Sequence, residues 1–364
     1  MATGRSGSAA AGFCVVMAGG RGTRFWPLSR IDRPKQLLPL GAQGRTLLRE
    51  TCERLFPLVG PQRIVVVTNA AQSAGTSAEL PELPPDHVIA EPIGRNTAPC
   101  AALGALLAER LGGGGPIALL PADHFIPDAD SLRAQLADAF AHATTAREAC
   151  TFGVRPLRAE TGYGYIEVAG AAEGGPLRGR RFVEKPDAAT AAAYVASGRY
   201  LWNSGMFVWD STVFGAALDQ HLPGLRERLT PVVAAHGTPA FAAALAAAYA
   251  DCPSNSLDQA IMEKLSSFAV FEAAFQWSDL GSWDAWGQAA PALPGGNRGD
   301  AVLYAVEARG NIVRAPGKTV AILGVDGLVV VDTPDALLVC RADAAQRLRE
   351  VITRLEADRR ADLL

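Results

Sequence analysis

The chain has 364 residues, and 34 Lys and Arg stand against 37 Asp and Glu, so its formal net charge is −3. At about 150 residues per domain, this length predicts two domains and a sizeable buried core. A net charge so close to zero excludes a globally basic surface of the kind that wraps a nucleic acid polymer or binds an anionic membrane. The apolar fraction of 49% argues against a largely disordered chain.

The cysteines are scattered singly along the chain, and no two of them have a C-x-x-C spacing. This pattern does not favour a zinc ribbon or a thioredoxin-type site, and it is typical of buried thiols in a reducing compartment. No apolar run is long enough for a membrane-spanning helix. The apolar stretch near the N-terminus runs straight into a glycine-rich loop, so we interpret residues 1–11 as a flexible tail rather than part of a signal peptide. We therefore expect a cytoplasmic protein.

Short β-rich runs alternate with helical patterns over the first two thirds of the chain. The predicted strands cover residues 13–17, 64–68, 117–120 and 150–154. The predicted helices cover residues 46–56, 97–111 and 130–148. This alternation predicts an α/β fold with a doubly wound, Rossmann-like and mostly parallel sheet. Ligands of such sheets bind at the carboxyl ends of the strands.

The pattern changes near residue 300, where short strands follow one another with few helical residues between them. These strands are predicted at 301–306, 311–314, 319–323, 328–331 and 336–340, and an amphipathic helix at 342–355 follows. The Asp326-Gly327 pair predicts a hairpin turn. Residues 291–300 have the composition of a linker. We therefore predict one large domain over 12–290 and a small β-rich C-terminal domain over 300–364, which we expect to form the contact of a homodimer.

The first predicted strand ends in a glycine-rich loop that is suited to an anion. The loop residues are Ala18, Gly19, Gly20, Gly22 and Thr23. Glycines let the backbone approach a ligand closely, and the N–H groups of such a loop form an anion cradle. A dinucleotide fingerprint would require glycine at Phe25, and no Gly-Lys-Ser/Thr of a P-loop follows. A dinucleotide-dependent oxidoreductase therefore fits the alternation of strands and helices but not this loop.

Several cations follow the glycines within a short stretch. They are Arg21, Arg24, Arg30, Arg33 and Lys35. Apolar and turn residues between them indicate a defined loop rather than a solvated charge run. Several cations on a stiff loop beside backbone N–H groups suit a triphosphate.

Residues 18–40, AGGRGTRFWPLSRIDRPKQLLPL, resemble the signature of sugar-1-phosphate nucleotidyltransferases. Their WPLSR and PKQ segments resemble the mannose-1-phosphate guanylyltransferase group of that family. Further motifs of the family follow in its order at 91–99, 120–124, 162–166, 182–186, 202–207, 258–264 and 277–283. Gln259 departs from the pattern, which has an aromatic residue there. The resemblance runs over residues 13–285, and eight ordered motifs are far more specific than one loop.

The resemblance implies the synthesis of GDP-mannose and pyrophosphate from GTP and mannose 1-phosphate. An oxygen of the sugar phosphate attacks the α-phosphorus of GTP in line, and pyrophosphate leaves. A phosphate monoester has a second pKa near 6, so the attacking group is already anionic at neutral pH and needs no general base. Positioning and electrostatics therefore carry the reaction, and Mg²⁺ is the expected cofactor that neutralises the phosphates.

The resemblance also implies roles for individual residues. The implied catalytic residues are Arg24, Lys35, Asp123, Lys185 and Asp279, of which Asp123 and Asp279 are the metal ligands. The implied nucleotide-binding residues are Ala18, Gly19, Gly20, Gly22, Thr23, Glu91, Arg95, Asn96 and Thr97. The implied sugar-phosphate-binding residues are Gly164, Glu184, Lys185 and Asn203.

Other observations on these residues leave some structural alternatives open. Asp123 follows a predicted buried strand directly, which is where an α/β sheet binds ligands. Thr97 equally fits a cap of the helix that follows it. An alternating strand would send Glu184 and Lys185 to opposite faces unless its end is twisted. Asn203 can both donate and accept hydrogen bonds, as hydroxyl recognition requires.

Two alternative functions remain at the level of sequence. The same chemistry on another sugar 1-phosphate, such as glucose or a manno-heptose, would keep every phosphate-binding residue. A catalytically silent regulatory relative is disfavoured because all five implied catalytic residues are present. We expect GTP, mannose 1-phosphate and a second copy of this chain as partners, and neither a nucleic acid polymer nor a membrane.

Overall fold

A computed structural model describes residues 12–20, 22–170 and 175–364 of the chain. The predicted flexible tail at 1–11 and the cation Arg21 lie outside the described residues. Contacts divide the chain into two compact units. The first comprises Met1–Gly19, Thr51–Ala122 and Ile126–Trp277, and the second comprises Gly20–Glu50, Asp123–Phe125 and Ser278–Leu364. These units interleave along the chain, whereas the predicted domains at 12–290 and 300–364 are consecutive and remain a prediction.

The first unit contains a sheet in which the described residues form nine strands. The strands are β1 Phe13–Ala18, β2 Ile64–Asn69, β3 Val88–Glu91, β4 Pro116–Pro121, β5 Cys150–Val154, β6 Tyr165–Ala169, β7 Leu177–Val183, β8 Tyr200–Asp210 and β9 Phe268–Glu272. The helices up to this point are α1 Leu47–Val59, α2 Ser73–Glu79, α3 Thr97–Gly112, α4 Ala129–Ala146, α5 Ala188–Ser197, α6 Ser211–His221, α7 Leu225–Ala235, α8 Phe241–Ala250 and α9 Leu257–Ala260.

The sheet is parallel in its first half and mixed in its second. The strand order is β3-β2-β1-β4-β8-β5-β9-β7-β6. The pairs among β3, β2, β1 and β4 are parallel, as is β5 with β9, whereas β8 runs antiparallel to β4, β5 and β6. Strand β7 is antiparallel to β6 because the connection between them is too short for the crossover that a parallel pair needs. The predicted α/β fold class is confirmed, and its parallel part is the strand order β3-β2-β1-β4.

Strand β1 lies between β2 and β4 in this sheet and is largely buried on both faces. Its residues are apolar, and Cys14, Val15 and Val16 have no exposed surface. Val15 packs against Gly104 of α3, where an added Cβ would lie 2.2 Å from its Cγ1. Gly12 directly precedes the strand, three residues before Val15, and packs against the ring of Phe140 in α4. Because successive strand residues point to opposite faces, α3 and α4 cover opposite sides of β1, which explains the uninterrupted apolar run.

The second unit carries the C-terminal strands and the last two α-helices. They are α10 Trp283–Ala289, β10 Ala292–Leu293, β11 Asn297–Gly299, β12 Val302–Val306, β13 Ile312–Arg314, β14 Thr319–Leu323, β15 Leu328–Asp332, β16 Leu337–Arg341 and α11 Leu348–Ala357. Strand β12 pairs in parallel with β14, and β13 pairs in parallel with β15. Alternate strands therefore stack on one another, as successive turns of a coil do. The predicted small β-rich C-terminal domain with a terminal helix is confirmed.

The prediction of a hairpin at Asp326-Gly327 was wrong. Strands β14 and β15, which flank this pair, do not pair with each other. Instead, the Asp326 carboxylate accepts a hydrogen bond from the N–H of Arg309 at 2.6 Å, and the N–H of Gly327 donates to the Arg309 carbonyl at 3.0 Å. The turn residues were identified correctly, but they form a corner between stacked strands because the chain continues the coil rather than reversing.

The prediction of a linker at 291–300 was also wrong, because β10 and β11 occupy it. Strand β11 pairs with β10 and with β13, and Asn297 at its start has no exposed surface. The Asn297 side chain donates to the carbonyls of Pro294 and Ala308 and accepts from the N–H of Asn311. A buried amide that satisfies three backbone groups holds this glycine-rich stretch in place.

Helix α11 packs its apolar face within its own unit. Leu348 is 3% exposed, and Ile352 and Leu355 pack against the same cluster, which also contains Trp283 and Trp286. The apolar face of α11 therefore does not support the expected dimer contact. Within the described ranges, we find no helix that combines the length and the apolar character needed to cross a membrane.

Candidate active site

The predicted site residues other than Ala18, Gly20, Gly22 and Thr23 fall into three clusters, each of which is contained in one unit. The Lys35 cluster, in the second unit, comprises Arg24, Lys35, Asp123 and Asp279. The Glu91 cluster, in the first unit, comprises Gly19, Glu91, Arg95, Asn96 and Thr97. The Asn203 cluster, also in the first unit, comprises Gly164, Glu184, Lys185 and Asn203.

A short backbone pairing brings the two aspartates of the Lys35 cluster together. Phe125 and Ser278 form an isolated antiparallel bridge, with N–H to carbonyl distances of 2.9 and 3.0 Å in the two directions. Asp123 lies two residues before Phe125, and Asp279 follows Ser278 directly. Two segments that are far apart in the sequence therefore meet beside both carboxylates.

The Lys35 ammonium connects the two aspartates. Its Nζ donates to Oδ2 of Asp123 at 2.8 Å and to the backbone carbonyl of Asp279. Lys35 is only 7% exposed, so its charge needs such partners. Burial raises the pKa of the Asp123 carboxyl, but the positive charge and the hydrogen bond of Lys35 outweigh it and hold the pKa below its usual range. Asp123 is therefore a carboxylate at neutral pH.

Arg24 and Asp279 both lie beside Gly281. The Oδ1 atom of Asp279 accepts the N–H of Gly281 at 3.0 Å, and Leu280 between them has a φ of 41°. A Cβ added to Gly281 would lie 2.8 Å from Oδ2 of Asp279 and 3.3 Å from Nη1 of Arg24. A residue without a side chain at 281 therefore lets the guanidinium and the carboxylate lie side by side.

The glycine loop supports Lys35 directly. Gly22 has a φ of 60°, and a Cβ added to it would lie 2.4 Å from the backbone nitrogen of Lys35. Thr23 begins a 3₁₀ turn over Thr23–Phe25, and the Gly20 carbonyl accepts a long hydrogen bond from Gln36 at 3.5 Å. Gly22 thus satisfies two requirements, a left-handed backbone and close contact with the backbone of Lys35.

The Lys35 cluster suits an open site for a hard divalent cation. It does not have the ligands of a closed site, in which protein side chains alone surround the metal. Among the described residues, no group of three or more His, Cys, Asp and Glu side chains could hold a metal ion. Mg²⁺, however, is typically bound by one or two carboxylates, with phosphate oxygens and water completing its octahedron. Asp123 and Asp279 supply such carboxylates beside Lys35.

Glu91, at the end of β3, is a deeply buried carboxyl. It is 3% exposed, and its Oε1 accepts a hydrogen bond from the hydroxyl of Tyr249 at 2.8 Å. A Cβ added to Gly19, which follows β1, would lie 3.5 Å from the other oxygen, Oε2. Burial raises the pKa of Glu91 to about 7, although the Tyr249 hydrogen bond lowers it in part. Gly19 and the end of β3 therefore lie next to each other at this carboxyl.

The other polar residues of the Glu91 cluster form hydrogen bonds with the ends of neighbouring helices. Arg95 donates to the last carbonyls of α8, those of Tyr249 and Ala250, at 3.1 and 2.5 Å. Asn96, with a φ of 66°, is the N-cap of α3 and accepts the N–H of Thr97 at 2.8 Å. The suggestion that Thr97 caps α3 was wrong, because its hydroxyl accepts the N–H of Leu257 at the start of α9 instead.

The Asn203 cluster is held by β8. The N–H of Asn203 donates to the Gly164 carbonyl at 2.8 Å, and its Nδ2 donates to Oδ1 of Asp258 at 2.9 Å. A Cβ added to Gly164 would lie 2.6 Å from Oε2 of Glu184 and 3.2 Å from Cβ of Asn203. Glu184 and Asn203 both pack onto Gly164, so this position has no room for a side chain.

Lys185 joins Glu184 because β7 ends before them. The strand stops at Val183, and Lys185 has a φ of 45°. This left-handed turn brings Nζ of Lys185 onto Oε1 of Glu184. The alternation that would have separated the two side chains therefore does not apply. Lys185 remains exposed, with 61% of its side-chain surface accessible, so a ligand can reach the ammonium.

Asp258 is a member of the Asn203 cluster that the residue assignments from sequence missed. Burial and the nearby Glu184 carboxylate raise its pKa to about 6, and the hydrogen bond from Asn203 partly opposes them. Asp258 opens the motif at 258–264, and this position was the signal that could have identified it. The backbone N–H of the exposed Gln259 beside it donates to the Ser256 hydroxyl.

Comparison with protein-family models decides the family. The nucleotidyl transferase model matches residues 13–294, and a mannose-phosphate isomerase/GMP-like β-helix domain model matches residues 301–355. This chain belongs to the nucleotidyl transferase family. The family resemblance of the sequence motifs is thereby confirmed, and the β-helix match agrees with the stacked parallel strands β12 to β15.

Named relatives of this nucleotidyl transferase cover nearly the whole chain. The mannose-1-phosphate guanylyltransferase of Escherichia coli is 36% identical over 96% of this chain and 74% of its own length. The alginate biosynthesis protein AlgA of Pseudomonas fluorescens is 36% identical over 96% of this chain and 72% of its own. A crystal structure titled mannose-1-phosphate geranyltransferase, from Thermus thermophilus, is 37% identical with a TM-score of 0.83, covering 95% of this chain and 99% of that one.

The role of Gly22 in supporting Lys35 generates a prediction for this nucleotidyl transferase. We expect Gly22→Ala to cost more than about 2 kcal/mol of folding free energy and most of the activity, because the new methyl collides with the Lys35 backbone. Thermal unfolding and pyrophosphate release measure the two effects. Gly44→Ala is the matched control, since Gly44 has a φ of 75° but nothing within 4 Å of an added Cβ. Equal losses in the two variants would contradict a special role for Gly22.

Proposed function

We propose that this nucleotidyl transferase makes GDP-mannose and pyrophosphate from GTP and mannose 1-phosphate. The observation that carries the proposal is the Lys35 cluster, in which two cations and two carboxylate-bearing residues lie together. Relatives over 96% of the chain that bear the name mannose-1-phosphate guanylyltransferase support the choice of substrates.

The reaction requires two anions to be brought together without an enzyme nucleophile. The sugar phosphate is already charged near neutral pH, so it attacks the α-phosphorus of GTP directly and displaces pyrophosphate. The ammonium of Lys35 and the guanidinium of Arg24 stabilise the charge that moves onto the leaving pyrophosphate. Fixed cations in a partly buried site act more strongly than they would in water.

We propose Mg²⁺ as the cofactor, held by the carboxylates of Asp123 and Asp279. The ion neutralises phosphate charge when it is bound. Lys35 keeps Asp123 ionised, because its positive charge lowers the pKa of that carboxyl. An ionised, oxygen-only ligand set is the one that Mg²⁺ prefers.

The Asn203 cluster is the proposed site of the sugar phosphate. The exposed ammonium of Lys185 pairs with the phosphate, and Glu184, Asn203 and Asp258 exchange hydrogen bonds with the sugar hydroxyls. Carboxylates accept from hydroxyls and an amide both donates and accepts, so this set suits a polyhydroxylated ring. Glucose 1-phosphate or a manno-heptose phosphate offers similar groups and is the alternative substrate. A silent relative is disfavoured, since it would not need Lys185 and the whole Lys35 cluster.

We also propose a cytoplasmic homodimer. The six cysteines are thiols rather than disulfides, which suits a reducing compartment. Val302, Tyr304 and Val306 on β12 are 56 to 66% exposed, and Leu323 on β14 is 72% exposed. A row of apolar side chains on two paired strands suits a second copy of the chain. A light-scattering mass of one chain at micromolar concentration would overturn the dimer.

An assay that crosses four nucleoside triphosphates with several sugar 1-phosphates tests the proposed reaction. We expect pyrophosphate release to be fastest with GTP and mannose 1-phosphate and to stop when Mg²⁺ is chelated. Release with no pair would overturn the enzymatic function. Preference for another sugar would overturn the substrate but not the chemistry.

The two proposed metal ligands yield a second prediction. We expect Asp123→Asn and Asp279→Asn each to lower kcat by about two to three orders of magnitude, because a metal clamp contributes several kcal/mol to the transition state. Steady-state kinetics over a Mg²⁺ titration measures this loss. Asp343→Asn, at an exposed aspartate paired with Arg341, is the control. Near-normal activity in either variant would show that the metal is bound elsewhere.

Asp258 yields a further prediction. Asparagine at 258 can still accept the hydrogen bond from Asn203, so we expect Asp258→Asn to fold normally. We expect its KM for mannose 1-phosphate to rise about tenfold while its KM for GTP stays constant, because a charged acceptor for a hydroxyl is lost. Asp251→Asn, at an exposed aspartate, is the matched control. Equal changes in both KM values would contradict a sugar-binding role.

A further inference from the structure

The Glu91 carboxyl has one oxygen engaged by the protein and one oriented toward the glycine loop. Its Oε1 accepts from Tyr249, whereas Oε2 has no hydrogen-bond partner among residues 12–20, 22–170 and 175–364. The residue is 3% exposed, but Oε2 is not among the fully buried side-chain atoms that lack a partner, so a ligand can reach it. An accessible acceptor that the protein leaves open can accept a hydrogen bond from a ligand. This oxygen faces Gly19, the residue that follows β1.

The tyrosine that holds this carboxyl comes from a distant part of the chain. Tyr249 lies on α8, 158 positions after Glu91, and has no exposed surface. Arg95 locks the same helix end, because its guanidinium donates to the carbonyls of Tyr249 and Ala250. Burial of the ring and the anchored end of α8 therefore hold the hydroxyl in place. Its hydrogen bond engages Oε1 and leaves Oε2 facing Gly19.

We propose that Tyr249 is a positioning residue for nucleotide recognition, whose hydroxyl holds Glu91 so that Oε2 accepts an N–H of the guanine base. This inference rests on the proposed use of GTP. Guanine carries neighbouring donors at N1 and N2, and an ionised carboxylate is their natural acceptor, whereas adenine has no N1–H. The ionised form of Glu91 accepts at both oxygens, and a charged acceptor binds an N–H more strongly than a neutral one. A carboxyl protonated at Oε2 would present a donor to another donor.

The charge of Glu91 therefore links base recognition to pH. Its pKa is raised to about 7, so the acceptor form is present above that pH and is lost as the pH falls through it. The Tyr249 hydrogen bond favours the ionised form, so removing the hydroxyl moves the midpoint to higher pH. In the described part of the chain, the other titratable groups that interact with Glu91 are the thiols of Cys100 and Cys252. Burial raises the pKa of both thiols, so they stay neutral over the range tested.

Calorimetric titration of the whole protein with GTP and Mg²⁺, without sugar, between pH 5.5 and 8.5 tests the proposal. The triphosphate titrates as well, but its contribution is common to all variants. We expect Glu91→Gln to remove the part of the pH dependence centred near 7. We expect Tyr249→Phe to weaken GTP binding about tenfold at pH 7 and to shift this midpoint upward, as loss of a hydrogen bond to a charged group implies. A simple packing defect would lower affinity without moving the midpoint.

Tyr200→Phe is the matched control, since it removes a buried tyrosine hydroxyl that bonds to Arg181 and not to Glu91. A midpoint in Tyr249→Phe equal to that of the wild type would overturn the proposal. So would a pH dependence that survives in Glu91→Gln, which remains informative if the tyrosine variant fails to fold. Wild-type protein that does not bind GTP would overturn the inference and the proposed function together. A Tyr249-dependent pH profile without any pyrophosphate release would support the inference and overturn only the reaction.

Discussion

The second unit depends on one buried cation. Lys35 is 7% exposed, and a charge with so little access to water destabilises a fold unless it is paired. The Asp123 carboxylate and the Asp279 carbonyl supply that pairing. The left-handed Gly22, the bridge between Phe125 and Ser278 and the small Gly281 can each be understood as arrangements that keep these groups together. The same requirement concentrates positive charge where a triphosphate would need it, in a chain whose net charge is −3.

The first unit handles its buried carboxyls differently. Among the residues that the structure describes, no ammonium forms a hydrogen bond with Glu91 or Asp258. Each carboxyl instead accepts from a neutral donor, the Tyr249 hydroxyl and the Asn203 amide respectively. Neutral donors offset burial only partly, so both pKa values are raised, whereas that of Asp123 is lowered. Carboxyls of this kind are suited to exchanging hydrogen bonds with uncharged parts of a ligand. The contrast agrees with the proposed division of the substrates into phosphates, base and sugar.

Local sequence was a good guide where one residue type satisfies one local need. The buried strands β1, β2, β4 and β5 and the helices α3 and α4 lie within a few residues of the predicted bounds, because apolar runs and helical periods are local signals. The failures concern groups whose partners are distant in sequence. The Thr97 hydroxyl accepts from the N–H of Leu257 rather than capping its own helix. The Asp326 carboxylate accepts from the N–H of Arg309 rather than stabilising a hairpin turn. Residues 291–300 form strands because Asn311 and Ala308 complete the hydrogen bonds of Asn297.

The sequence by itself determined the family, the α/β class and the residue types that phosphate chemistry needs, since these depend on ordered motifs and local periodicity. Tertiary structure alone decided which of those side chains are used internally and which retain a free acceptor or donor. Arg95, Asn96 and Thr97 complete helix ends, whereas Oε2 of Glu91 is left open among the described residues. It also added Tyr249, which lies in no motif, and Asp258, which opens the motif at 258–264 but had no role assigned from sequence. The physical reason is that desolvation and hydrogen-bond partners arise only when distant segments pack together, and they set the protonation and orientation of each side chain.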